Sequence, residues 1–246
     1  MIGAIDPHGS GLPSPTASDY GSYLESPPDP GGSRVTPFFV RLLAVSVLAL
    51  GSPVALTGVA PGAPRCTIEG TPGDDMLIGT PGADVICSGA GDDTIRAGGG
   101  DDIVRAGKGH DVVHGEGGHD RLFGERGRDV LYGAEGNDLI VGKRGGDELR
   151  GYLGEDRIRG GRGRDMIFGG PGADTIGGGP GNDTARGGAE PDSIVGRTGA
   201  DVLIGWAGDD TINGRDGIEG NDVVKGSNGT DTCMADPNDQ ILRCEV

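Results

Sequence analysis

The chain has 246 residues, of which 53 are Gly and only 4% are aromatic, and its formal net charge is -17. Glycine stands at about three times its usual share of roughly 7%, so little apolar surface is left to offset ordering entropy and a conventional globular core is excluded. The acidic balance argues against a nucleic-acid partner, which needs a basic face, and points instead to cations.

Residues 1–34 are rich in Pro, Gly and Ser without periodicity and read as a disordered extension. Residues 35–60 have the layout of a secretory signal: Arg34 and Arg41 flank an apolar run from Leu42 to Leu50, and small residues follow, with Gly58-Val59-Ala60 as the cleavage candidate. Gly51, Ser52 and Pro53 interrupt the run, which argues against a span of about 20 apolar residues. The extension before the signal has two readings. Translation starts at Val35 or Val40 and the extension is not made, or the extension is a cytoplasmic tail before an anchor. Residues 61–69 read as an N-terminal cap.

From residue 70 a nine-residue period sets in. Asp recurs at Asp75, Asp84, Asp93, Asp102, Asp111, Asp120, Asp129, Asp138, Asp147, Asp156, Asp165, Asp174, Asp183, Asp192, Asp201 and Asp210. Two residues before each stands Gly, except at Glu190; two residues after each stands an aliphatic residue, from Leu77 and Ile86 through Ile158 and Ile176 to Ile212. Disorder does not hold three residue classes in register over this length. The register slips once, at 214–225, where setting aside Gly217 to Glu219 restores the pattern with Asp222; a last copy carries Asp231, making eighteen copies over residues 70–234. Residues 235–246 read as a C-terminal cap.

Each copy divides into a Gly-rich stretch of six residues and a three-residue stretch rich in β-branched and aliphatic side chains, which suits a brief strand. Alternation along that strand sends the aliphatic residue inward and its mixed neighbours outward. The Gly-rich stretch turns the chain, so two copies make one coil of an all-β parallel β-roll, a right-handed solenoid. Copies eighteen residues apart stack at about 4.8 Å, giving about nine coils. One aliphatic residue per copy, worth roughly 1.5–3 kcal/mol, does not offset ordering nine residues at about 1–2 kcal/mol each. Stacked carboxylates would also repel one another. A divalent cation between neighbouring turns answers both problems, with turn carbonyls as further ligands. Six or more oxygens suit Ca²⁺, whose binding then becomes folding free energy.

The copies "GGRGRDMIF", "GGPGADTIG" and "GGPGNDTAR" resemble the haemolysin-type (RTX) calcium-binding nonapeptide, G-G-x-G-x-D-x-U-x with U aliphatic. The resemblance implies a parallel β-roll binding several Ca²⁺ ions between turns, with the eighteen aspartates above as metal residues. The second Gly is replaced by Glu116, Glu125, Ala134, Lys143 and Tyr152 through the middle and by Arg197 and Trp206 later. Sites from Asp120 to Asp156 are therefore expected to be weaker or partly replaced by Arg–Asp pairing. Glu190 is expected to distort the site near Asp192. The best pairs are Asp84/Asp102, Asp93/Asp111 and Asp165/Asp183.

An even number of Cys in a secreted chain favours disulfides, and Cys66–Cys87 with Cys233–Cys244 would staple the two ends of the coil. His110, His114 and His119 with Glu116 lack zinc-site spacing and read as solvated surface, and no nucleophile motif is present. The sequence thus reads as a secreted, extracellular, non-catalytic protein that folds on binding calcium, with no nucleic-acid partner and no evident small-molecule substrate. The alternative is a cell-surface structural or adhesive spacer rigidified by calcium. Outward Thr is too sparse for an ice-binding array.

Overall fold

The computed structural model describes residues 65–218 and 221–244; the extension and the signal segment lie outside the described residues. Twenty strands, β1 (Ile68–Glu69) to β20 (Gln240–Leu242), alternate between two ten-stranded sheets. Odd-numbered strands form one sheet and even-numbered strands the other, and every pairing is parallel. Register is eighteen residues: Leu122 faces Ile140, which faces Ile158. The architecture is a parallel β-roll of about ten turns, and the described residues contain no helix long and apolar enough to cross a membrane.

The strands are longer than the three residues expected. Most run for six, as in β4 (Thr94–Gly99) and β6 (Val112–Gly117), because ladder pairing continues past the first glycine of the motif, through Gly98↔Glu116 and Gly99↔Gly117. The bend sits inside the paired stretch, at the motif's second position, where φ turns positive. Among the described residues, eight non-glycine residues at this position adopt the conformation, including Tyr152 (φ 76°), Arg197 (φ 81°) and Trp206 (φ 89°). The bend is thus a property of the coil, and the coil imposes it even on side chains that disfavour it by about 1–2 kcal/mol. At the fourth position glycine has a second reason besides φ: a Cβ at Gly154 would run into the backbone of Gly136 one coil earlier.

Three positions of each copy point inward: the Asp, the aliphatic residue and the motif's first residue, as in Asp165, Ile167 and Gly169. The apolar core is the aliphatic row from Ile86 to Val224, joined by Ala97 and Ala106. Its leanness follows from the first position being Gly in most copies.

Both ends carry more of the ladder than the motif count suggested. Ile68 pairs with Ile86, so β1 starts the odd sheet, and Gln240–Leu242 pairs with Val223–Lys225 to end the even one. These two partial copies raise nine coils to ten. Cys66 is bonded to Cys87 and Cys233 to Cys244, with Cα–Cα distances of 5.9 and 5.8 Å. Each bond ties a terminal strand to its neighbourhood, where a solenoid frays most readily. The three-residue slip is absorbed in the loop after β17 (Thr211–Asn213), and Asp222 and Asp231 return to the inward row.

Strain at the second motif position generates a prediction. Arg197→Gly is expected to stabilise the calcium-bound roll by about 1 kcal/mol, the left-handed penalty less the entropy of a new glycine. Denaturant unfolding in saturating calcium measures it, and a destabilised variant would contradict the assignment.

Candidate metal centre

The inward aspartates form two carboxylate ladders, one along each edge. In each, the backbone N–H of an Asp donates to Oδ1 of the Asp one coil later: Asp147 to Asp165 at 2.8 Å, Asp165 to Asp183 at 2.9 Å, and Asp156 to Asp174 at 2.8 Å. The same bond spans the slip, from Asp201 to Asp222 at 2.8 Å. These side chains are buried almost completely; Asp102, Asp111, Asp129 and Asp201 have no exposed surface.

Oδ1 is therefore satisfied and Oδ2 is not. In sixteen of the motif aspartates, from Asp93 to Asp231, Oδ2 is buried without a hydrogen-bond partner. Buried polar atoms are rarely left so, and a row of them signals a missing partner. Close to each stands another acceptor. A Cβ placed on Gly178 would lie 2.6 Å from Asp183 Oδ2 and 2.9 Å from the carbonyl oxygen of Gly196, and the same two neighbours recur at Gly115, Gly133, Gly151 and Gly169. Each of these copies thus has a small cradle, lined by a carboxylate oxygen and a carbonyl oxygen, that glycine leaves open.

Electrostatics point the same way. Burial pushes Asp156, Asp174 and Asp192 up to about 8, with the next carboxylate on the ladder adding to the rise and the backbone N–H one coil back opposing it. Asp120, Asp129 and Asp183 rise to about 7 and Asp138 and Asp147 to about 6, burial leading in each. Paired acceptors, raised carboxylates and no donor form a donor set for a hard cation. Among the described residues no three His, Cys, Asp or Glu side chains converge on one point. Backbone oxygens must therefore supply much of any coordination shell.

The match to the RTX calcium-binding nonapeptide repeat (four copies) recurs in seven segments that together run from residue 67 to residue 239. That span is well over half of the chain. The chain belongs to the RTX calcium-binding repeat family. Comparison with curated proteins yields no significant match.

Within this RTX roll the copies differ in ways the motif count did not rank. Asp75 and Asp84 have Oδ2 already occupied: Thr71 donates to Asp75 from N at 2.6 Å and from Oγ1 at 3.0 Å, and Thr80 does the same to Asp84 at 2.7 and 2.9 Å. Burial raises the Asp84 carboxyl, but the bonds from Thr80 and Thr67 outweigh it and hold it low. In the copies of Asp93, Asp102 and Asp111 the first position is Ser88, Ala97 and Ala106, whose Cβ atoms occupy the cradle, and Ser88 Oγ donates to the Ala106 carbonyl. The geometry therefore gives no reason to place Asp84/Asp102 and Asp93/Asp111 ahead of the others. Glycine cradles with a partnerless Oδ2 begin at Asp120.

The copies from Asp120 to Asp156, expected to be weak, keep the full ladder, with Oδ1 bonds of 2.8 to 3.0 Å. Arg–Asp pairing is absent there among the described residues; the ion pairs are Arg96–Glu116, Lys143–Glu125 and Arg150–Glu148. Glu190 does not displace Asp192, whose ladder bonds stay at 2.8 and 2.9 Å. It takes the left-handed turn itself (φ 67°) and accepts the Gly172 N–H at 2.9 Å, a donor that in other coils goes to a carbonyl.

A second ladder escaped sequence reading. At the fifth position short polar side chains accept the backbone N–H of the residue one coil later: Asp92 from His110 at 2.7 Å, His110 Nδ1 from Arg128 at 2.9 Å, and Asn137 from Glu155 at 3.0 Å. It runs opposite to the carboxylate ladder. His119 Nδ1 likewise accepts from Asn137 at 2.8 Å. The enrichment of Asp, Asn and His just before the motif Asp was its visible signal. His114 lies apart from both, half-buried and tilted against Tyr132 at 4.9 Å, with burial and then Arg96 pushing its pKa down.

The raised carboxyls set the pH response of the metal-free chain. Their folded pKa values exceed the unfolded value of about 3.9, so between about 4 and 8 the folded form holds more protons and stability falls as pH rises. In a chelator, β-structure is expected to be greater at pH 5.5, safely above the isoelectric point near 4.4, than at pH 8. Circular dichroism across that range tests it, and a metal-free chain that folds better at pH 8 refutes it.

Proposed function

We propose that this RTX protein is a secreted, non-catalytic β-roll that folds when it meets external calcium. The observation that carries the reading is the row of buried, partnerless Oδ2 atoms. Desolvating a carboxylate without a partner is costly, and so many in one thin core leave the metal-free coil without enough compensation. When bound, Ca²⁺ supplies the positive charge that the ladders lack. The motif aspartates from Asp120 to Asp231 would hold it through Oδ2, together with the first-position carbonyl one coil on. Asp93, Asp102 and Asp111 would contribute less, and Asp75 and Asp84 would serve as a metal-independent first turn closed by Thr71 and Thr80.

Two features support export. Disulfides persist in oxidising compartments, and both ends of the roll carry one. Calcium sites built from few carboxylates and many neutral oxygens fit millimolar, extracellular calcium better than cytosolic levels. The segment 35–60 would direct the chain out, leaving a mature N-terminus at Pro61.

The deciding measurement is a calcium titration of the mature chain followed by circular dichroism, with bound calcium counted in parallel. A cooperative gain of β-signal and several bound ions per chain are expected; a chain already fully β in chelator sinks the proposal. A second measurement isolates the cradle. Gly169→Ala with Gly178→Ala fills two cradles with the residue that Ala97 and Ala106 already place there. This variant is expected to fold yet bind fewer calcium ions than the parent.

A further inference from the structure

The eighteen-residue register brings together charges that look scattered in the sequence. Lys108 on β5 (Ile103–Lys108), Arg126 on β7 (Arg121–Arg126), Arg144 on β9 (Leu139–Arg144) and Arg162 on β11 (Arg157–Arg162) occupy one motif position on four successive odd strands. Lys108 pairs with Arg126, Arg126 with Arg144, and Arg144 with Arg162. All four are exposed. Arg128 and Arg164, two residues further along their copies, are exposed on the turns of the same edge. The result is a cationic stripe about 14 Å long, one charge per coil at a pitch of about 4.8 Å. It lies on a chain whose net charge is -17.

Like charges in register repel, and no ion pair among the described residues neutralises these. The opposite edge carries Glu135 and Glu155 at the corresponding positions, so the asymmetry belongs to the edge and not to composition. We propose that this stripe is a docking surface for an extended acidic polysaccharide bearing a carboxylate on each sugar. Arg matches carboxylate geometry with paired donors, and an extended 1,4-linked uronic-acid chain rises by close to one coil per sugar, so that every second or third carboxylate faces the stripe while the rest add to its long-range charge. Nucleic acid fits less well. Single strands are held by stacking on open aromatic faces, and Phe123, on β7 beside Arg126, is covered by Lys143 at 5.1 Å and Arg121 at 5.9 Å.

The test is fluorescence anisotropy with an end-labelled oligogalacturonate on the calcium-saturated chain. Neutral dextran and oligothymidylate serve as comparisons. Binding is expected to weaken as salt rises and to fall roughly tenfold or more in the R126Q/R144Q/R162Q variant. E135Q/E155Q on the other edge should leave it unchanged. Circular dichroism of each variant in calcium separates loss of the stripe from loss of the fold, and R144Q alone gives a graded readout with the least perturbation. Absence of oligogalacturonate binding by the folded chain, equal binding by the triple variant, or tighter binding of dextran or oligothymidylate would each overturn the proposal.

Discussion

One hydrogen bond organises the molecule: the backbone N–H of a motif Asp to Oδ1 of the Asp one coil later. It fixes register, because a shift of one residue would turn the carboxylates outward and a shift of two would put them where the aliphatic row must be. It turns the carboxylates inward, because their acceptor function is used inside the coil. It also leaves the second oxygen stranded. The feature that sets the coil's spacing is therefore the feature that creates a demand for positive charge. Folding and metal binding are linked through one side chain, used once by each of its oxygens.

The ladder explains which irregularities the coil accepts. Insertion of three residues before Asp222 is tolerated because it falls in a turn and lets the next Asp regain its place. Loss of the fourth glycine at Glu190 is tolerated because a carboxylate replaces a carbonyl as acceptor. Charged and aromatic residues at the second position are tolerated because only φ matters there and the side chain points outward. No motif copy lacks the inward Asp. The hierarchy runs from acceptor, to inward packing, to backbone conformation, and the repeat is strict in that order.

Much of this was legible in the sequence. The strict nine-residue spacing of Asp165, Asp174 and Asp183, with Ile167 and Ile176 in step, specified a two-copy coil, its eighteen-residue stacking and the inward aliphatic row. It did not specify strand length, because positive φ in Glu116 or Tyr152 is imposed by neighbouring coils and no local propensity encodes it. The ranking of metal positions read from the sequence rests on the second glycine, where a replacing side chain faces outward. The first position, where Ser88, Ala97 and Ala106 depart from Gly, decides whether the cradle is open. The terminal partial copies were hidden because Cys66 and the "DPND" segment lack the motif's glycines and are recognisable only by what they pair with.

Inside and outside obey different periods. The interior repeats every nine residues, since both sheets face one core and both edges need the same turn. The exterior repeats every eighteen, since alternate copies face opposite ways. Arg126, Arg144 and Arg162 share a side, whereas Glu135 and Leu153, in the copies between them, share the other. A solenoid that kept nine-residue symmetry outside would present identical edges. Breaking that symmetry costs little, because outward side chains barely contribute to the core, and it separates the charges by sign. The interior of this roll is constrained by its own carboxylates, which leaves its surface as the part of the chain free to acquire a partner.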